Sequence, residues 1–155
     1  MSSSLNQLEI VVAHSANLVI GKDGTMPWPH NKPDMKHFKE LTMGQLCVAG
    51  TKTFDSLPPL DGRIVIKLSR NGENSFEQIL KAAEAKRILI IGGGEIYKLF
   101  LPYATILHVS RIKGEYEGDT FFPEYRTGDF ECVNEIKKPS VSFLTYIRSK
   151  NKVMF

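Results

Sequence analysis

The hydrophobic positions of this chain fall into short, nearly unbroken runs. Leu8 to Ala13 (L-E-I-V-V-A), Gln45 to Ala49, Arg63 to Leu68 (R-I-V-I-K-L) and Arg87 to Ile91 (R-I-L-I-I) are of this kind. Runs this apolar predict strands covered on both faces, as in a parallel sheet. Between them the period lengthens to that of a helix. Pro33 opens a helix over Asp34 to Leu41, Ser75 to Ala85 is amphipathic, and Gly94 to Leu101 is a third helix stopped by Pro102. Strand and helix in alternation imply βα units in an open sheet.

The last third changes character. Thr105 to Ile112, Phe130 to Ile136 and Val141 to Arg148 are strand-like with no helix between them, and Lys138-Pro139-Ser140 is a turn joining the last two. The expected fold is therefore a single α/β domain over residues 1–155. It is a mostly parallel twisted sheet, flanked by helices on both faces and closed by a C-terminal antiparallel hairpin.

Composition changes this picture little. Apolar residues make up 42% and charged residues 24% of 155 residues, ordinary for a globular chain. No apolar stretch reaches the roughly 18 residues a membrane helix needs. The opening Met1 to Asn6 lacks the basic and apolar regions of a secretion signal, so a cytoplasmic protein is expected. The net charge of +3 is mild, with short clusters only at Lys137-Lys138 and Lys150 to Lys152. That spread fits neither nucleic-acid nor membrane partners, and a monomer is expected. Cys47 and Cys132 read as packing residues of a reducing compartment. The four histidines show no metal-ligand spacing, and no metal is expected.

Three features could carry chemistry. The first is Asp34, at the end of a proline-rich loop and in the first turn of a helix whose apolar stripe continues through Phe38, Leu41 and Thr42. Either it is an exposed acid complementing the helix dipole, or it is a carboxylate in an apolar pocket, where burial must have a reason. The second is Ile91-Gly92-Gly93-Gly94-Glu95-Ile96-Tyr97, a strand entering three glycines and a helix. It is either a tight turn or a seat for an anion against backbone amides. It is not the dinucleotide fingerprint, because Tyr97 stands where the last glycine belongs. The third is Ala49-Gly50-Thr51-Lys52-Thr53-Phe54, with Leu68-Ser69-Arg70-Asn71 after the next strand. Lys52 and Arg70 are either solvated cations or phosphate contacts. A kinase-type P-loop is excluded, since five residues separate Gly44 from Gly50. No nucleophile-base set is present, so hydrolysis has no apparatus. The residues alone suggest a nucleotide-cofactor enzyme with one acid.

Taken together and in order, these blocks resemble dihydrofolate reductase. Val19 to Trp28 resembles that family's first-strand loop and lid, and Asp34-Met35-Lys36-His37-Phe38-Lys39 resembles its acidic helix. Gly50 to Thr53, Leu68 to Asn71, Ile91 to Gly94 and Glu117-Gly118-Asp119-Thr120 have counterparts in sequence order. The resemblance implies NADPH-dependent reduction of dihydrofolate to tetrahydrofolate. Asp34 would bind the pterin and assist protonation of N5, its apolar setting raising its pKa. Trp28 would orient water beside it, and Ser110 stands where the family has a threonine bonded to the acid. Val11, Val12, Phe38, Leu57, Leu60, Ile91 and Tyr97 would line the substrate site, with Arg63 on the glutamate carboxylate. Ala13, Ile20, Gly21 and Met26 would meet the nicotinamide side. Gly50, Thr51, Lys52 and Thr53 would hold the cofactor phosphates together with Ile91, Gly93, Gly94, Glu95 and Ile96. Leu68, Ser69 and Arg70 would lie at the adenosine 2′-phosphate. The Gly92-Gly93 bond would be cis.

The resemblance also marks departures. Thr51 replaces an arginine of many members, the lid between Trp28 and Asp34 is one residue longer than in common bacterial members, and the stretch from Leu68 to Ile91 is short. Alternatives from other classes are a pyrimidine reductase on the same fold, an idle nucleotide-binding module and a weak nucleic-acid binder. Asp34 with Arg63 and the Met26-Pro27-Trp28 lid favours folate.

Overall fold

The structure is a computed structural model and describes residues 6–149, so the Met1 to Leu5 stretch and the Lys150 to Lys152 cluster lie outside the described residues. In chain order the elements are β1 (Leu8–Ser15), β2 (Val19–Gly21), α1 (Lys32–Thr42), β3 (Leu46–Ala49), α2 (Thr51–Ser56), β4 (Ile64–Lys67), α3 (Phe76–Ala82), β5 (Ile88–Gly92), α4 (Gly94–Phe100), β6 (Ile106–Ile112), β7 (Thr120–Phe121), β8 (Phe130–Lys137) and β9 (Val141–Arg148). Among the described residues seven strands form one sheet in the order β4-β3-β5-β1-β6-β9-β8. The first five are parallel, and β9 and β8 join antiparallel through the expected hairpin.

Side-chain alternation along the central strands makes two apolar layers. Leu8, Ile10 and Val12 of β1 point to one face with Ile88, Ile90, Leu107 and Val109, packed against Ile79 of α3 and Tyr97 and Phe100 of α4. Val11 points to the other with Cys47, Ala49, Leu89 and Ile91, packed against Phe38 and Leu41 of α1 and Phe54 of α2. Each fully buried aliphatic side chain contributes about 1.5–3 kcal/mol, so both layers resist opening. Helices therefore cover both faces, and the C-terminal ends of the parallel strands open toward α1, α2 and α4. No described helix is long and apolar enough to cross a membrane.

Several expectations are corrected. β4 lies at the edge of the sheet; Ile66 and Val65 pack partly against the two layers, while Ile64 is 67% exposed. An apolar run cannot reveal that its sheet ends beside it. Cys132 is exposed on β8, the other edge, rather than packed; only Cys47 is buried. α3 ends at Ala82, three residues early, after starting from a Ser75 cap that accepts from Gln78 N–H. Val19–Gly21 and Thr120–Phe121 pair as a separate antiparallel ribbon, too short to show any period.

Candidate active site

α1 is built to present Asp34. Asn31 Oδ1 accepts from the Asp34 N–H at 3.0 Å, an N-cap contributing about 1 kcal/mol. The same side chain donates from Nδ2 to Ser140 Oγ at 3.2 Å, tying the helix start to the turn between β8 and β9. Asp34, Phe38, Leu41 and Thr42 then fall on one helical stripe facing the sheet. Asp34 is only 8% exposed, which sets aside the reading of a solvated dipole acid. Burial pushes its carboxyl pKa up; a hydrogen bond with Ser110 of β6 and the nearby His37 oppose that rise without cancelling it.

The structure brings Val11, Ile91, Phe38 and Leu57 into one apolar cluster on this face. Trp28, 7% exposed, packs with Ile112, Val141 and Phe143 and meets the Tyr116 ring edge-on at 6.0 Å, with Ala13 beside it. At the far end of α1, Arg63 donates to Thr42 Oγ1 at 3.2 Å and to the Asp61 carbonyl at 3.1 Å. The eight helical steps from Asp34 to Thr42 span about 12 Å. A carboxyl group and a guanidinium thus stand at opposite ends of one apolar helix stripe. Leu60 is half-buried but lies outside the cluster. Val12 and Tyr97 point into the opposite layer; Tyr97 reaches this face only by donating its hydroxyl to the Val11 carbonyl at 2.8 Å.

On the other side of β5, two strand-to-helix turns meet. Gly50 N–H donates to the Gly92 carbonyl at 2.8 Å, and the Gly92-Gly93 bond is cis. A Cβ on Gly50 would stand 2.6 Å from Ile96 Cγ1, on Gly93 2.9 Å from Thr53 Oγ1, and on Gly94 2.7 Å from Thr120 Cγ2. Only glycine lets these segments approach so closely, which leaves bare backbone between β3 and β5. Thr51, Lys52, Arg70 and Glu95 are exposed around it. Ile20 and Gly21 lie on β2, and Met26 is 58% exposed in the lid. Leu68 packs in the core, and the Ser69 hydroxyl is engaged by the Asn71 carbonyl at 2.7 Å. A glycine cradle with two free cations at the carboxyl ends of parallel strands fits the chemistry of NADPH, a long anion with several phosphates. The lid is held by Asp119, whose carboxylate accepts from the Asp23 N–H at 2.9 Å.

Sequence reasoning missed a polar group on the Asp34 face. Glu9, 8% exposed, accepts on one oxygen from His108 Nε2 at 2.7 Å and from Arg87 at 2.9 and 3.1 Å. Burial pushes its carboxyl up, and those partners outweigh burial and hold it below the usual range. The signal was a lone acid interrupting the L-E-I-V-V-A run. His37 stacks on Phe143 with ring centroids 4.0 Å apart. Among the described residues, no three metal-ligating side chains gather. A surface hollow of about 680 Å³ between Lys22, Asp23 and Glu115 to Asp119 is open and acidic, and Asp34 is not in its lining.

The family described as dihydrofolate reductase matches residues 7–148 of the chain. The dihydrofolate reductase of Haemophilus influenzae is 39% identical over 132 residues, covering 79% of this chain and 82% of the relative. That of Bacillus subtilis is 32% identical over 138 residues, covering 82% of each. Among solved structures, the dihydrofolate reductase of Enterococcus faecalis complexed with NADP(H) superposes with a TM-score of 0.79 at 31% identity, covering 93% of this chain and 97% of that one. With a match of this extent lying over the buried acid and the glycine cradle, the chain belongs to the dihydrofolate reductase family.

Proposed function

We propose that the chain reduces 7,8-dihydrofolate to 5,6,7,8-tetrahydrofolate with NADPH, and that Asp34 is the ionisable group at the reacting ring. The observation that carries this reading is Asp34 itself, a carboxyl 8% exposed on an apolar helix stripe whose far end meets a guanidinium. A flat heterocycle with amide and amino donors would fill the Asp34 end, and a carboxylate tail would reach Arg63. Val11, Phe38, Leu57 and Ile91 exclude water from the ring.

Hydride to C6 is the chemistry NADPH supplies when bound. Gly50, Lys52, Thr53, Gly93, Gly94 and Ile96 would hold its pyrophosphate, Arg70 its 2′-phosphate, and Ala13, Ile20 and Met26 its nicotinamide side. The proton for N5 is the task of Asp34, directly or through one water held near Trp28. Burial raises the Asp34 pKa, so a proton stays accessible nearer neutrality than on an ordinary carboxyl. Turnover accordingly falls as pH rises through that pKa. The reading includes a single-domain monomer of the cytoplasm acting on a small molecule, without nucleic-acid or membrane partners, and supplying tetrahydrofolate for one-carbon transfer.

The test is loss of NADPH absorbance with dihydrofolate, in the parent and in Asp34→Asn. Near neutral pH the substitution should slow turnover by about 10²-fold or more, the range of general acid-base catalysis. An unchanged variant would remove Asp34 from the chemistry, and an inert parent at micromolar enzyme would overturn the reduction.

A further inference from the structure

We propose that His37 is a positioning residue for this reaction: fixed against Phe143 on the helix face it shares with Asp34, it tunes how tightly Asp34 holds its proton. His37 and Asp34 are three residues apart on α1, neighbours on one face. The imidazole lies over the Phe143 ring at 4.0 Å with the planes 25° apart, which restricts its orientation. Phe143 of β9 stands opposite Ser110 of β6 in the strand register, and Ser110 lowers the proton affinity of Asp34. One helical turn, one ring stack and one strand pair thus bring His37 and Ser110 to the same carboxyl.

The titratable groups facing His37 are Asp34 and Glu40 on α1 and His108 on β6; β9 presents the uncharged Phe143. His108 is in turn bound to Glu9, which also takes Arg87, so that end of the face is already compensated. Burial lowers the proton affinity of His37, Asp34 raises it, and His108 lowers it. A cation on His37 favours the Asp34 carboxylate, and the carboxylate favours that cation. The protonation of each group therefore depends on that of the other.

The inference rests on Asp34 being the group that bears the proton. His37→Phe keeps a ring against Phe143 and deletes the charge. It should move the alkaline fall of turnover upward by about half a pH unit, a modest effect for a half-buried neighbour. By reciprocity, NMR titration of the His37 ring in the full chain should show its pKa falling by a similar amount in Asp34→Asn. The second measurement needs no turnover and survives a poorly active His37 variant. A His37→Phe profile lowered equally at every pH, or a His37 titration indifferent to Asp34→Asn, overturns the inference while leaving the reductase reading intact. Unchanged turnover in Asp34→Asn would instead remove the reading on which it rests.

Discussion

Asp34 is held between opposing influences, and each can be removed separately. Burial drives its pKa up, while the Ser110 hydroxyl, itself only 5% exposed, donates to the ionised form and draws it down. Ser110→Ala should therefore shift the alkaline fall of turnover upward, and Ser110→Thr, which keeps the hydroxyl, should restore it. A pH-rate series on the three proteins decides the matter; a downward shift in the alanine variant would contradict it. At this scale the sequence exposed Asp34 because an acid on an apolar helix stripe is costly and conspicuous. It hid Arg87, Glu9 and His108, because 78 and 99 residues separate Glu9 from its partners and only strand register brings them together. His37 was hidden for the same reason, since its stacking partner comes from β9.

Among the elements, the turns after β3 and β5 bear the tightest constraint. Gly94 opens α4 with its Cα facing Thr120, so a methyl there would meet Thr120 Cγ2 at 2.7 Å. Thr120 belongs to β7, which pairs with β2 and so supports the lid. Gly94→Ala should push the ribbon outward, lowering stability by about 1–3 kcal/mol as overpacking does. NADPH affinity should fall about tenfold or more. Thermal unfolding and quenching of Trp28 fluorescence on NADPH addition would read the two effects, and an unchanged affinity would place the ribbon outside the cofactor seat. Apolar runs were enough to find the strands of the main sheet, and Lys138-Pro139-Ser140 was enough to find the hairpin. The β2-β7 ribbon escaped because three residues paired with two carry no period. β4 was found but its place at the edge was not, since Val65 and Ile66 reflect the two layers they pack against and not the open flank.

Over the whole molecule, strand order was beyond periodicity, which finds strands without pairing them; the packing that follows from the observed order makes one further quantity predictable. β1 carries His14 into the core at 0% exposure, where Nδ1 meets the Ser15 carbonyl at 2.6 Å and Nε2 the Tyr125 hydroxyl at 2.8 Å. The neutral ring satisfies both contacts, with Nδ1–H donating to the carbonyl and Nε2 accepting from the phenol. Burial pushes its pKa down from 6.5 to about 4. Because the folded pKa lies below the unfolded one, the folded state binds this proton less readily than the unfolded chain. The stability tied to a neutral His14 is thus fully present above about pH 6.5 and is lost as pH falls toward 4. A shift of this size corresponds to about 3 kcal/mol. Glu9 acts in a different window, because its lowered pKa withdraws stability only as pH falls below the ordinary glutamate range. Urea unfolding midpoints should decline between pH 6.5 and 4.5 in the parent, and His14→Gln should flatten that decline while starting from a lower value at pH 7. If the slope survives the substitution, the acid sensitivity lies elsewhere. If it flattens, the acid limit of folding lies at His14, at the end of β1 and on the sheet face opposite Val11.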